Sequence, residues 1–269
     1  MRASASNRQE RRIHVSIASY NVHSCVGMDR RRKPARIAQV IREMNVDVLA
    51  LQEVDNQPGD DVESMQLEYL SDVLEMAAVP GLRMIRRTGE YGNAILTRFP
   101  ILAVRRHDLS FPLCEPRGAI DVHLDVYGRT VRVIAAHLGL RRRERRFQWQ
   151  RVLEAVASEK DIPTCVLGDM NEWYRGAQTL KEAHAVFGEP PAPPAFPSFL
   201  PLLALTRIWV RPPEAIVAIE AHRSSLAKVA SDHLPVRATI DVRRLGGVEN
   251  VKRGAGLWAL GSGQKEQRR

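Results

Sequence analysis

Apolar stretches of strand length recur along the whole chain, and helical periods interrupt them at only a few places. HVSIASYNVH alternates apolar and polar residues, the two-residue period of a half-buried strand. KPARIAQVIREMN then places Ile37, Val40, Ile41 and Met44 on one helical face, with Pro34 suited to the first turn. VDVLALQEV is the next strand, and Leu67, Leu70, Leu74 and Ala77 mark a second helix. NAILTR, AIDVHLDV and TVRVIAAH follow as strands, the last two joined by a YGRT hairpin turn. A helix near 144–157 precedes PTCVLGD, RIWV, EAIVAIEAH and PVRATIDV, which complete the order. Such an order predicts a single mixed α/β unit. GEPPAPPAFPSFLP at 188–201 is the one candidate break, but too little chain follows it to fold alone. It reads as a rigid surface loop inside the domain.

Charge separates the tails from the body. The net charge is +9, yet residues 1–12 hold four arginines and one glutamate, and residues 243–269 hold seven basic and two acidic residues. The ends therefore carry +3 and +5, leaving +1 for residues 13–242. A generally basic nucleic-acid-binding surface is not expected. The expected division is a basic flexible tail over 1–12, a domain over 13–242, and a basic disordered tail over 243–269. The tails suit weak contact with polyanions or an anionic membrane surface, and no protein partner is inferable. No apolar run approaches the roughly 20 residues of a membrane-spanning helix, and MRASASNRQERR lacks the apolar core of a signal peptide. Cys25, Cys114 and Cys165 form no CxxC pair or metal-ligand spacing. A reducing, cytoplasmic setting is expected, with the inner membrane surface as a place the tails would hold.

The polar residues that carry chemistry stand at strand ends, where a sheet delivers side chains and loops give access. Asn21 ends the first strand, Glu53 the second, His137 the VRVIAA strand and Asp169 the CVL strand. In VLGDMNEW an extended segment puts Asp169 and Asn171 on one side. Taken singly, each has an ordinary explanation: a turn residue, an exposed terminal charge, a core histidine, an Asx turn. Their order and spacing together point to a site.

SYNVH, LALQEVD, YGNAILTRFP, EPRGA, AAHLGL, VLGDMNEW and SDHLPV, in this order, resemble the endonuclease/exonuclease/phosphatase superfamily, the DNase I-like metal-dependent phosphohydrolases. The resemblance spans about residues 13–242 and implies an α/β (α+β) four-layer sandwich: two mixed β-sheets packed face to face and flanked by helices. It implies Mg²⁺ or Mn²⁺ as cofactor, Glu53 as main metal ligand, Asn21 assisting and Asp232 close to the ion. Mg²⁺ keeps several waters, so one or two carboxylates suffice. The resemblance makes His233 the general base toward an attacking water, has Asp169 and Asn171 align that water and the phosphate, and sets His137 on the oxyanion side. Asn93 and Arg117 match substrate-binding positions. The histidine of AAHLGL resembles the branch with DNase I, sphingomyelinases and phosphoinositide phosphatases rather than the abasic-site endonucleases. Bacterial hydrolases of unassigned substrate share this look.

Two features depart from an ordinary pattern. LRRRERRFQWQR starts a helix in arginines, which the helix dipole disfavours, so Arg141 and Arg142 are candidates to hold a second phosphate or a head group; the alternative is a solvated basic face. In LALTRIWV, Thr206 stands where the family has the aspartate that orients the terminal histidine, and Glu214 and Glu220 are nearby carboxylates able to replace it. The expected function is hydrolysis of phosphoester bonds in nucleic acid or a phospholipid head group. The alternatives are a low-activity or non-catalytic binding protein on the same fold and a peripheral membrane phospholipid phosphohydrolase.

Overall fold

A computed structural model describes residues 13–57, 59, 63–86 and 89–246. The expected N-terminal tail lies outside the described residues, as does the C-terminal one beyond residue 246. The fold itself continues past 242, because a 3-10 turn over Val242–Arg244 follows the last strand and Leu245 is buried.

Eleven described strands form two mixed sheets, as the resemblance implies. The first holds β1 (His14–Asn21), β2 (Val48–Asn56), β3 (Ala77–Arg86), β4 (Gly89–Thr97), β10 (Ile216–Ala221) and β11 (Val236–Asp241), in the order β10-β11-β1-β2-β4-β3. The second holds β5 (Ile101–Asp108), β6 (Gly118–Val126), β7 (Arg129–His137), β8 (Thr164–Asp169) and β9 (Thr206–Arg211), in that order. Each sheet has one parallel pair, β1 with β2 and β7 with β8. Parallel neighbours end at the same edge, so Asn21 comes beside Gln52, and His137 lies directly opposite Asp169.

Period-two alternation explains the layers. Along β7, Val131, Val133 and Ala135 face the core between the sheets, while Ile134 and Ala136 face the outer one. Helices α1 (Pro34–Met44) and α2 (Gln66–Leu74) flank the first sheet, and their Ile37, Ile41 and Leu70 belong to a cluster continuous with the inner core. Helices α3 (Arg142–Ser158) and α4 (Gln178–Phe187) cover the other sheet, where the rings of Trp149 and Trp209 lie 5.1 Å apart. A single-turn helix, α5 (Ala227–Ala230), precedes β11.

Four elements differ from sequence expectation. The second helix stops at Leu74 because Glu75 takes a left-handed φ of 53°, and Ala77 opens strand β3 instead. β3 carries Pro80, which a strand tolerates at a sheet edge, where no ladder hydrogen bond is lost. β5 is also an edge strand, with a weak burial pattern, and α4 was not foreseen.

Candidate active site

The four strand-end residues meet across the sandwich. Asn21 Nδ2 donates to Glu53 Oε1 at 2.8 Å and to Asp169 Oδ2 at 3.1 Å, tying the two sheets together through one buried amide. Glu53 reaches it because the β2–β4 register slips between Leu51 and Val54, and Glu53 adopts a φ of 61°. A bulge of this kind re-aims a side chain at the cost of local strain. Tyr91 donates to Glu53; burial, then the charge of Glu53 and this bond, push the phenol's pKa up, so it stays a donor.

Asp169 is placed by close strand approach. A Cβ on Gly168 would lie 1.7 Å from the Ala136 carbonyl oxygen, and its φ of 152° suits glycine. Asp169 is buried; burial works to raise its pKa, but His233, His137, Asn21 and the Asn171 amide outweigh it and hold the carboxyl below its usual range. The expected extended geometry ends at Asn171, whose φ is 49°. Its N–H instead donates to Asp169 Oδ1 at 3.0 Å in an Asx turn, and its amide still reaches His137 Nε2 at 3.2 Å.

His137 is buried with Arg117 at its Nδ1 and Asp169 Oδ2 3.8 Å from its Nε2, while the nearby Asn171 amide nitrogen donates to the Leu138 carbonyl. Arg117 lies 2.9 Å from its Nδ1 and also pairs with Glu115. A guanidinium has only protons to give, so Nδ1 is the lone pair and a neutral ring carries its proton on Nε2. Burial first, and then the Arg117 charge, push the pKa of His137 down, keeping the ring neutral. Asn93, opposite the Glu53 bulge, donates to the Gly118 carbonyl beside Arg117 at 3.3 Å.

His233 stands on the other flank. Its Nε2 is 3.6 Å from Asp169 Oδ2, and the Phe196 ring lies 4.7 Å away, centroid to centroid. Ser231 accepts from the His233 N–H and donates to the Asn21 carbonyl. His233 Nδ1 is buried with no hydrogen-bond partner among the described residues. Thr206, directly opposite Asp169 on β9, also has a buried hydroxyl without a partner there. Neither suspected carboxylate substitutes: Glu220 is exposed and pairs with Arg237, and Glu214 is exposed.

The remaining expectations divide. Asp232 is 3.8 Å from His23 Nδ1 and bonds Ser231, and no contact joins it to Glu53 among the described residues. Arg141 lines a cleft of about 210 Å³ together with Arg117, Leu113 and Glu115; Arg142 is exposed and does not line it. The awkward arginine start of α3 is relieved by Glu144, which accepts from the Arg141 N–H, and by Arg145, buried against Glu172. Sequence reasoning missed Tyr91 and Phe196; the first lay inside YGNAIL, but nothing local marked its partner.

Among the described residues no cluster of three His, Cys, Asp or Glu is arranged around a metal position. The donor chemistry nevertheless fits a hard divalent cation. Two carboxylates converge on one amide nitrogen, and among the described residues no lysine or arginine pairs with either. Asn21 presents its nitrogen to them, since its oxygen accepts from the His23 N–H.

A model of the Endonuclease/Exonuclease/phosphatase family matches residues 18–233. An uncharacterised protein of Escherichia coli, YbhP, is 28% identical over 253 residues, covering 86% of this chain and 98% of its own. Among solved structures, an endonuclease/exonuclease/phosphatase from Beutenbergia cavernae superposes with a TM-score of 0.69 at 22% identity, covering 85% of this chain and 72% of its own. A mannosyl-6-phosphatase from Bacteroides thetaiotaomicron gives 0.63 at 19%, covering 83% and 98%.

Proposed function

The chain belongs to the Endonuclease/Exonuclease/phosphatase family, and on that premise we propose that it is a Mg²⁺- or Mn²⁺-dependent phosphodiesterase with a histidine general base. The observation that carries this is the convergence of Glu53 and Asp169 on Asn21, with a histidine on each flank. Glu53 would hold the ion, with Asn21 and Asp232 nearby. A bound divalent cation neutralises phosphoryl oxygens that otherwise repel a nucleophile. His233 takes the proton of the attacking water at Nε2, and ionised Asp169 stabilises the resulting imidazolium. Neutral His137 donates its Nε2 proton toward a phosphoryl or leaving oxygen, with Arg117 fixing its tautomer. Asn171 and Asn93 position the phosphate, and Arg141 extends the cleft for a second anionic group. A binding protein on the same fold is the second reading, favoured by the partnerless His233 Nδ1.

Glu53→Gln decides between them. Hydrolysis of a soluble phosphodiester is expected to require added Mg²⁺ or Mn²⁺ and to be abolished in this variant with unfolding unchanged, because an amide is a far poorer ligand than a carboxylate. Metal-independent or unchanged turnover would refute the assignment. No turnover of nucleic acid, phospholipid and nucleotide substrates by the wild type would favour the binding reading.

A further inference from the structure

The rim of this site is apolar. Residues 196–203 turn back on themselves, with Leu203 N–H donating to the Phe196 carbonyl. The tip reads Phe199-Leu200-Pro201-Leu202-Leu203, and Phe199, Leu200 and Leu202 are 56–67% exposed. A run of exposed apolar residues is a folding and solubility liability unless it has a use. The tip is also fastened to the catalytic segment. Phe196 lies on His233, Ser198 N–H donates to the Asp232 carbonyl, and Ser198 Oγ donates to the Ser231 carbonyl.

The other loops at this edge do the same. Leu140, three residues after His137, is 68% exposed, and Leu113 on the opposite wall of the Arg117 cleft is 98% exposed. Trp173, two residues after Asn171, is exposed with Arg145 against its ring, and that arginine also bonds the Leu140 carbonyl. Exposed Arg141, Arg142 and Arg143 follow Leu140, and exposed Arg175 follows Trp173 and Tyr174. Leucines at the outermost points, an indole among them and guanidinium groups alongside match a lipid surface: acyl chains take the leucines, the interface takes tryptophan, and anionic head groups take arginine. A single-stranded nucleic acid fits less well, because bases need flat rings to stack on, and the outermost points, Leu113, Leu140 and Leu202, are leucines rather than the rings of Phe199, Trp173 and Tyr174.

We propose that the 199–203 tip, with Leu113, Leu140 and Trp173, docks this protein on an anionic lipid surface, so that its phosphoester substrate is presented from that surface. The presentation of substrate rests on the hydrolase reading; the docking does not.

The test is sedimentation of the full chain with phosphatidylcholine vesicles, with and without phosphatidylglycerol, at low and high salt. High salt screens contacts made by charge alone, so what persists reports the apolar rim. Wild type is expected to bind the phosphatidylglycerol vesicles under both conditions. Leu200→Glu/Leu202→Glu is expected to weaken binding by at least about tenfold, since each leucine loses its burial. Val217→Glu, at an exposed apolar position on β10 outside the rim, is expected to bind as wild type does. Hydrolysis of bis(p-nitrophenyl) phosphate by the same proteins, expected to differ less than about twofold, reports the chemistry separately. Vesicle binding without any hydrolysis defeats the hydrolase reading and leaves docking supported. Docking is overturned if wild type ignores the vesicles, if the double variant binds as well as wild type, or if that variant loses binding to a single-stranded oligonucleotide and not to lipid.

Discussion

Replacing Thr206 by aspartate tests what holds His233. To accept a proton at Nε2, the neutral ring must carry its own proton on Nδ1, and Nδ1 is buried without a partner among the described residues. An unsatisfied buried N–H costs about 1–3 kcal/mol. The rival tautomer, with Nε2–H turned toward Asp169 Oδ2 at 3.6 Å, escapes that cost. Because about 1.4 kcal/mol is tenfold in population, the competent tautomer is a minority of roughly one in six or fewer. Thr206 pairs directly with Asp169, and side chains so paired share a face about 4.5–5.5 Å apart, so a carboxylate at 206 reaches the same ring. Thr206→Asp is therefore expected to raise turnover about tenfold near neutral pH, well inside what a positioned base contributes. It also sets a second buried carboxylate beside Asp169. At about 5 Å and an effective dielectric near 20, that repulsion is about 3 kcal/mol, so a lower melting temperature should accompany the gain. The assay is turnover of one soluble phosphodiester against pH for wild type, Thr206→Asp and His233→Ala, with thermal unfolding of each. If Thr206→Asp is no faster while His233→Ala is inactive, the ring is already held in the right tautomer. If His233→Ala matches wild type, His233 is not the base.

Phe196→Ala should lower kcat about fivefold with little change in KM, since it frees the His233 ring without touching substrate, and aromatic contacts of this kind are worth about 1 kcal/mol; a rise in KM alone would mean that Phe196 binds substrate instead. Arg117→Met removes a cation that depresses the pKa of His137, so the acid limb of the kcat/KM profile should move to higher pH, and an unmoved limb would take His137 out of the mechanism. The same depression has a stability consequence. The unfolded chain takes up the histidine proton near about pH 6.5 and the folded chain at lower pH, so stability from this residue is present above that value and lost as pH falls below it. Urea unfolding between neutral and mildly acidic pH should show that decline, flattened in His137→Asn.

What the sequence determined by itself were the strands, their polar ends and the family. Period-two alternation marks HVSIASYN and TVRVIAAH because a sheet buries alternate residues, and the motifs from SYNVH to SDHLPV keep their order whatever the fold does in between. β5 escaped because this edge strand buries little and so keeps a weak pattern, and β3 because Pro80 and Gly81 interrupt its apolar run. Tertiary structure alone decided who meets whom. Residues 21, 53, 91, 169, 196 and 233 are far apart in the chain, and only the pairing of two parallel strand ends across the sandwich brings Asn21 to Asp169. The bulge that aims Glu53 arises from a register slip between β2 and β4, a relation between two strands that neither segment encodes alone. The Pro-rich stretch reads locally as a stiff surface loop; that it lays Phe196 on His233 and turns its leucines outward follows from where it packs, which local composition does not specify.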